Sequence, residues 1–233
     1  MRTERGTIVG AVLLVAAVAG EGCRAGGGGG GGVEEAGPGA ISVRFDDMKE
    51  GERPPGFSTA RTGDGPDGRW VVMSVPSGGR VLAQTSDDDT DYRFPVCVHD
   101  AFRATDVSVT ARFKTVSGVI DQAGGVVARY KDADNYYICR ANVLEENVRL
   151  YRVEKGKRQQ FGHARQVVTP GEWHTLGLEI RGHRLAVTFD GKKVIEAEDS
   201  TFAGPGQVGL WTKSDAVTMF DDLSARDLAP GRP

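Results

Sequence analysis

The chain has 233 residues and a formal charge of −3, from 29 Lys and Arg against 32 Asp and Glu. That near-balance, with no basic stripe, excludes the usual electrostatic footprint of a nucleic-acid binder. Beyond the N-terminus no apolar run is long enough to cross a bilayer, so membrane contact is expected only through an N-terminal lipid anchor.

The chain opens with Arg2 and Arg5, followed by a thirteen-residue, largely apolar run from Thr7 to Ala19. This is too short to span a membrane and has the length of a secretory signal core. Two cleavage positions fit. Ala17-Val18-Ala19 obeys the small-x-small rule and would release a soluble secreted protein beginning at Gly20. Gly22-Cys23 resembles the end of a bacterial lipobox, with residues 1–22 removed and Cys23 lipidated, although Gly20 and Glu21 depart from its usual residues. Either way the chain is expected to be exported, as a periplasmic or cell-envelope lipoprotein or as a soluble secreted protein. Seven consecutive glycines, Gly26 to Gly32, then make residues 23–40 a flexible tether.

Residues 41–228 have the size of one domain, leaving 229–233 as a tail. Its first motif is FDDM at 45–48. Asp87, Asp88, Asp89 and Asp91 read as a solvated loop. From residue 90 onward short alternating runs recur: RFPVCV, VSVTARFKTV, GGVVARY, HTLGLEI, LAVTF, KVIEA, QVGLW and AVTMF. Turn-forming KDADN, EKGK, RGH, DG and AGPG separate them. Asp190-Gly191 suits the type I′ turn of a two-residue hairpin. The pattern predicts an all-β, two-sheet antiparallel sandwich.

One stretch competes. In DNYYICRANVLEENVRLYRV, residues 134–153, Tyr137, Ala141, Leu144, Val148 and Tyr151 have helical spacing. The same residues divide into two alternating runs, YYICRA and VRLYRV, around Asn142 and Asn147. Three Tyr, three Val and one Ile favour strands, because they lose rotamer freedom in a helix. A hairpin is therefore expected, with Tyr137 and Val148 buried.

Alternation then assigns faces. Val126, Ala128 and Tyr130, Tyr137, Cys139 and Ala141, and Val148 and Leu150 should face the core. Arg129, Arg140, Arg149 and Tyr151 should share the outer face, with Asn142 just beyond and Trp211 beside them. Guanidinium groups and an amide suit hydroxyl, keto or carboxylate oxygens, and aromatic rings stack on sugars, so this set is the candidate carbohydrate-binding face. An ordinary solvated sheet face remains the alternative. Cys97 and Cys139 read as small buried hydrophobes, with a disulfide between them left open.

The run from Asp121 to Arg158, the later W-H-T-L-x-L-x-I, F-D-G-K and V-G-L-W-T-K, and F-D-D-L at 220–223 resemble the concanavalin A-like jelly-roll superfamily. Within it, residues 41–225 are most similar to the bacterial 3-keto-disaccharide hydrolase group. The resemblance implies a jelly roll with adjacent first and last strands, a concave sheet that takes carbohydrate, and a structural calcium at Asp47 and Asp222 in the manner of related carbohydrate-binding jelly rolls. Packing of Phe45 and Phe220 with solvated acids is the alternative there.

Catalytic motifs are scarce. The Glu-x-Asp-x-x-Glu strand of family-16 glycosidases is missing, and Glu196-Ala-Glu198-Asp199 lacks the final acid, so that two-carboxylate mechanism is not expected. Nucleophile, zinc and phosphate-loop motifs are also missing. The four His read as structural. Whether the chain is an enzyme is left open between three functions: a carbohydrate-binding module, a hydrolase resembling the 3-keto-disaccharide group, and an envelope interaction module.

Overall fold

The computed structural model describes residues 39–229; the signal segment, Cys23 and the glycine run lie outside them. Within this range the chain forms fifteen strands and no helix. They are β1 (Ala40–Val43), β2 (Phe57–Gly63), β3 (Trp70–Ser74), β4 (Arg80–Gln84), β5 (Arg93–His99), β6 (Val107–Ser117), β7 (Ala123–Asp132) and β8 (Asn135–Asn142). There follow β9 (Asn147–Glu154), β10 (Lys157–Arg165), β11 (His174–Arg181), β12 (Arg184–Phe189), β13 (Lys192–Glu198), β14 (Gln207–Trp211) and β15 (Val217–Asp227).

Two antiparallel sheets result. One runs β13-β12-β11-β6-β15-β4-β3, with β1 also on β15, and the other runs β10-β9-β8-β7-β14-β5-β2. First and last strands pair as expected, Val43 opposite Leu223. The contested stretch is the β8–β9 hairpin, with Tyr137 and Val148 fully buried and Leu144 exposed in its turn. Turn chemistry is visible too: Asp190 and Gly191 both adopt positive φ, 46° and 77°, as a type I′ pair requires.

Alternation fills the space between the sheets with Val126, Ala128, Tyr137, Cys139, Ala141, Val148, Leu150, Leu176, Leu178, Ile180, Val208 and Leu210. Cys97 and Cys139 lie in this core as free thiols. Burial pushes both well above the ordinary thiol range, so they behave as hydrophobes.

The outer face of the seven-stranded sheet departs from expectation. It is a second dry core, comprising Phe94, Val96, Val98, Val127, Tyr130, Tyr136, Ile138, Tyr151, Val153 and Trp211. Curvature buries it. β10 and β5 are five strands apart, about 24 Å along a flat sheet, yet the Arg158 guanidinium lies 4.5 Å from the Phe94 ring. The Tyr136 hydroxyl on β8 donates to Thr62 Oγ1 on β2 at 2.7 Å, and Thr62 donates onward to the Ala133 carbonyl. Tyr92 fastens the same seam, its hydroxyl donating to the Gly156 carbonyl (3.1 Å) and accepting from Arg158 N (2.8 Å). Two diagonal corners of the sheet therefore meet and close one end of the trough.

Trp211 belongs to this closed end. It is 0% exposed and stacks on Phe94 with ring centroids 5.4 Å apart. The expected exposed indole platform is thus corrected to a core aromatic. Trp211→Ala should cost about 3–5 kcal/mol, the range for truncating a buried aromatic. Urea unfolding should show a lower midpoint at an unchanged slope; a loss below about 1 kcal/mol would mean that the second core does not hold the sheet closed.

Candidate functional site

Next to this closed part, across Gly125 in the same cross-strand row, the face turns polar. One cross-strand row reads Val96, Trp211, Gly125, Arg140, Arg149 and His163 on β5, β14, β7, β8, β9 and β10. Gly125 is required, because a Cβ there would come within 2.8 Å of the Cys139 carbonyl oxygen. Its missing side chain leaves Arg140 beside the indole strand rather than behind another residue.

Arg140 is 1% exposed and nearly saturated. Its Nη1 donates to Asn147 Oδ1 (2.8 Å) and its Nη2 to Glu145 Oε2 (3.0 Å). Arg149 Nη1 reaches the same carboxylate oxygen at 2.8 Å, and both arginines approach the Tyr151 hydroxyl at 3.4 Å. One carboxylate oxygen thus bridges two guanidinium groups. Burial alone would raise the Glu145 carboxyl; Arg140, Asn147 and Arg149 outweigh it and hold it below its ordinary value.

Glu145 is placed by the β8–β9 turn. Asn142 Oδ1 accepts from Glu145 N (2.9 Å), and Asn147 Nδ2 donates to the Glu145 carbonyl (3.0 Å). The other side of Asn142 donates to Asp121 Oδ1 at 2.7 Å. Asn142, expected to meet a ligand, instead ties turn to loop. Asp121 completes the rim: it is 2% exposed, and Lys213 Nζ stands 3.1 Å from its Oδ2 and 2.8 Å from Asp91 Oδ1. Burial raises the Asp121 carboxyl, while the two acids outweigh burial at Lys213 and raise its ammonium.

Three of the expected residues, Arg140, Arg149 and Tyr151, therefore meet around Glu145, with Arg140 and Tyr151 buried, Arg149 partly exposed and Asn142 in support beneath. Arg129 does not join them. A bulge between Ala128 and Asp132 places it at φ 48°, which turns its side chain toward the other sheet and sends Tyr130 outward. Its guanidinium donates to the carbonyls of Thr105 (2.6 Å), Phe202 (2.6 Å) and Gly182 (2.8 Å), as an internal strut. Gly206 packs over this bulge, where a Cβ would lie 2.3 Å from the Arg129 carbonyl carbon.

The calcium expectation is not met by geometry. Asp222 lies 3.4 Å from Arg44 and 3.1 Å from Arg112, while Asp47 is exposed. Phe45 and Phe220 pack inward, and no three His, Cys, Asp or Glu side chains converge as a metal site among the described residues. His174 is structural, held 2.8 Å from Asp190 Oδ2.

The rim residues missed in the sequence are Asp121, Glu145, Lys213 and Arg158. Each lies at or next to a turn, where alternation gives no phase. The only available signal was the crowding of acids and bases into the joints flanking one strand triplet.

No family model matches the chain. A levanase from Bacillus subtilis is 29% identical over 105 residues, which is 44% of this chain and 15% of the levanase. The chain therefore matches only a small part of that relative's length. The carbohydrate binding module CBM66 from Bacillus subtilis superposes with a TM-score of 0.59 at 23% identity, over 74% of this chain and 96% of the module. A Bacillus subtilis protein of unknown function with a galectin-like fold gives 0.52 at 10% identity, over 73% and 89%. These likenesses concern the fold alone, a sandwich of two antiparallel β-sheets.

Asp215 positions the loop that carries Asp121, accepting from the backbone N–H of Val119, Ile120 and Asp121, the last at 2.9 Å. Burial would raise this carboxyl, but the three donors prevail and lower it. A lowered acid stabilises the fold above its unfolded pKa, about 3.9 for Asp, and loses that contribution as pH falls through the folded value. Asp121, being raised, acts in the opposite sense. The difference between wild type and Asp215→Ala should therefore be large at neutral pH and shrink below about pH 4. Chemical denaturation across pH checks it; a pH-independent difference would remove the ionic account.

Proposed function

We propose that the chain is an exported carbohydrate-binding jelly-roll domain whose ligand is held at the polar mouth of the concave sheet. The observation that carries this reading is the bridge of Arg140 and Arg149 on Glu145, with the Tyr151 hydroxyl 3.4 Å from both arginines, set beside the Lys213–Asp121 pair. Charged donors and acceptors alternate there within one concavity, and vicinal hydroxyls, each both donor and acceptor, match such an array. Burial of most of the constellation keeps it preorganised, so little ordering is needed on binding. The fold likeness to a carbohydrate binding module and the partial sequence likeness to a levanase support the reading and make levan the first glycan to try.

Export is part of the proposal. The N-terminal apolar run supports secretion, and Cys23 followed by a glycine run supports a lipid-tethered form in the cell envelope. Mass spectrometry of the membrane fraction should find a diacylglyceryl group on Cys23; a soluble product beginning at Gly20 would reject the tether.

Titration calorimetry against levan, inulin and other glycans, with product analysis for turnover, tests the central claim. Arg149→Ala, at a residue only partly buried, should weaken glycan binding by about 1.5–3 kcal/mol, as expected for hydrogen bonds to a charged group, at nearly unchanged thermal stability. Undiminished affinity in the folded variant would move the site elsewhere.

A further inference from the structure

The cations at the mouth are not all matched. Arg140, Arg149, Arg158 and Lys213 face Asp91, Asp121 and Glu145. Lys213 takes two of the carboxylates, and Arg140 and Arg149 share the third. Arg158 has no carboxylate within ion-pair distance among the described residues. Its guanidinium lies over aromatic faces instead, 4.5 Å from the Phe94 and Tyr151 rings and 5.8 Å from Trp211.

Ring faces attract a cation but accept no conventional hydrogen bond at each N–H. Arg158 Nη1 is buried without a partner, as are Nε of Arg140 and Nε of Arg149. The unused buried groups of these three arginines are all donors. Burial pushes the Arg158 guanidinium below its ordinary value; the field of Arg140 adds to this, and those of Tyr151, Asp121 and Tyr92 oppose it without prevailing. Tyr92 fixes the backbone at Arg158 and the adjacent turn, and the three rings pack against its guanidinium.

From this unpaired guanidinium and three unmet donors we infer that the saccharide bound here is acidic, with a carboxylate seated against Arg158 and its remaining hydroxyls on the Glu145 and Asp121 side. The inference rests on the carbohydrate reading above and names its ligand class. A planar carboxylate offers two oxygens to a guanidinium fork and supplies the missing negative charge, which a neutral hydroxyl does not.

The test titrates the folded domain with oligogalacturonate, a sulfated oligosaccharide of similar length and neutral levan oligosaccharides. The uronate should bind at least about tenfold tighter than the neutral glycan, as one charge-assisted contact is worth. Its advantage should shrink as ionic strength rises toward about 0.15 M, because Arg158 and Arg149 are partly exposed and salt screens their charge. Arg158→Gln should abolish the difference between acidic and neutral ligands, and Arg158→Lys should restore part of it. Equal affinity for uronate and levan, lowered in parallel by Arg158→Gln, would overturn the acidic ligand and leave the carbohydrate reading standing. A sulfated ligand that outbinds the uronate would overturn the carboxylate assignment. A folded protein that binds none of the three would overturn both.

Discussion

The structure depends on one constraint, the curl that brings diagonal corners of the seven-stranded sheet into contact. A flat sheet of this width would expose Phe94, Tyr136, Tyr151 and Trp211 to water. Rolled, it buries them, and burial of four aromatic rings supplies much of the drive for rolling. The seam is then fixed by directional bonds, Tyr136 to Thr62 and Tyr92 to the β9–β10 turn. Apolar area favours closure in general; these hydroxyls select the corners at which it occurs.

The curl also sorts the arginines. Arg93, 0% exposed, donates to the carbonyls of Pro66, Ser214 and Asp67, and Arg129 does the same for Thr105, Phe202 and Gly182. Such guanidinium groups are fully engaged by backbone and act as struts between loops. Arg140 and Arg149 bond chiefly to side chains that are themselves at the mouth. Arg158 bonds to no side-chain acceptor among the described residues. Arg93, Arg129 and Arg140 are equally buried, yet hydrogen bonding to backbone falls from the first two to the third, and Arg149 and Arg158 are both partly exposed and less engaged. Saturation by backbone carbonyls marks the arginines that hold the fold, and unmet donors mark Arg140, Arg149 and Arg158.

How much of this was legible follows from which physics is local. Alternation is local, so the core set Tyr137, Cys139, Val148 and Leu150 was readable, as was the outward phase of Arg140 and Arg149. Arg129 and Tyr130 exchanged faces because a bulge reset the phase, and nothing in GGVVARYKD announces a bulge at a non-glycine residue of positive φ. The burial of Trp211 was illegible for a different reason: besides Phe94 on the neighbouring strand, its cover includes Arg158 on β10, four strands away, and curvature is a property of the whole sheet. Asp121, Glu145 and Lys213 lie at or beside loops, where side-chain direction depends on the individual turn. The sequence therefore disclosed which strands carry the site, and loop geometry decided which charges complete it.

The closed and open ends of the trough are not independent. Gly125 alone separates Trp211 from Arg140 along the cross-strand row, and the Arg158 guanidinium touches both the rings of the dry core and the space above the mouth. Any change that loosens the aromatic seam must also shift the cations, because packed cores transmit displacement rather than absorb it. Loss of binding in a seam variant such as a Tyr136 or Phe94 substitution would thus say little about ligand contact. Arg149 and Glu145 stand at the rim, partly exposed and outside the dry core, and substitutions there read recognition with the least interference from the fold.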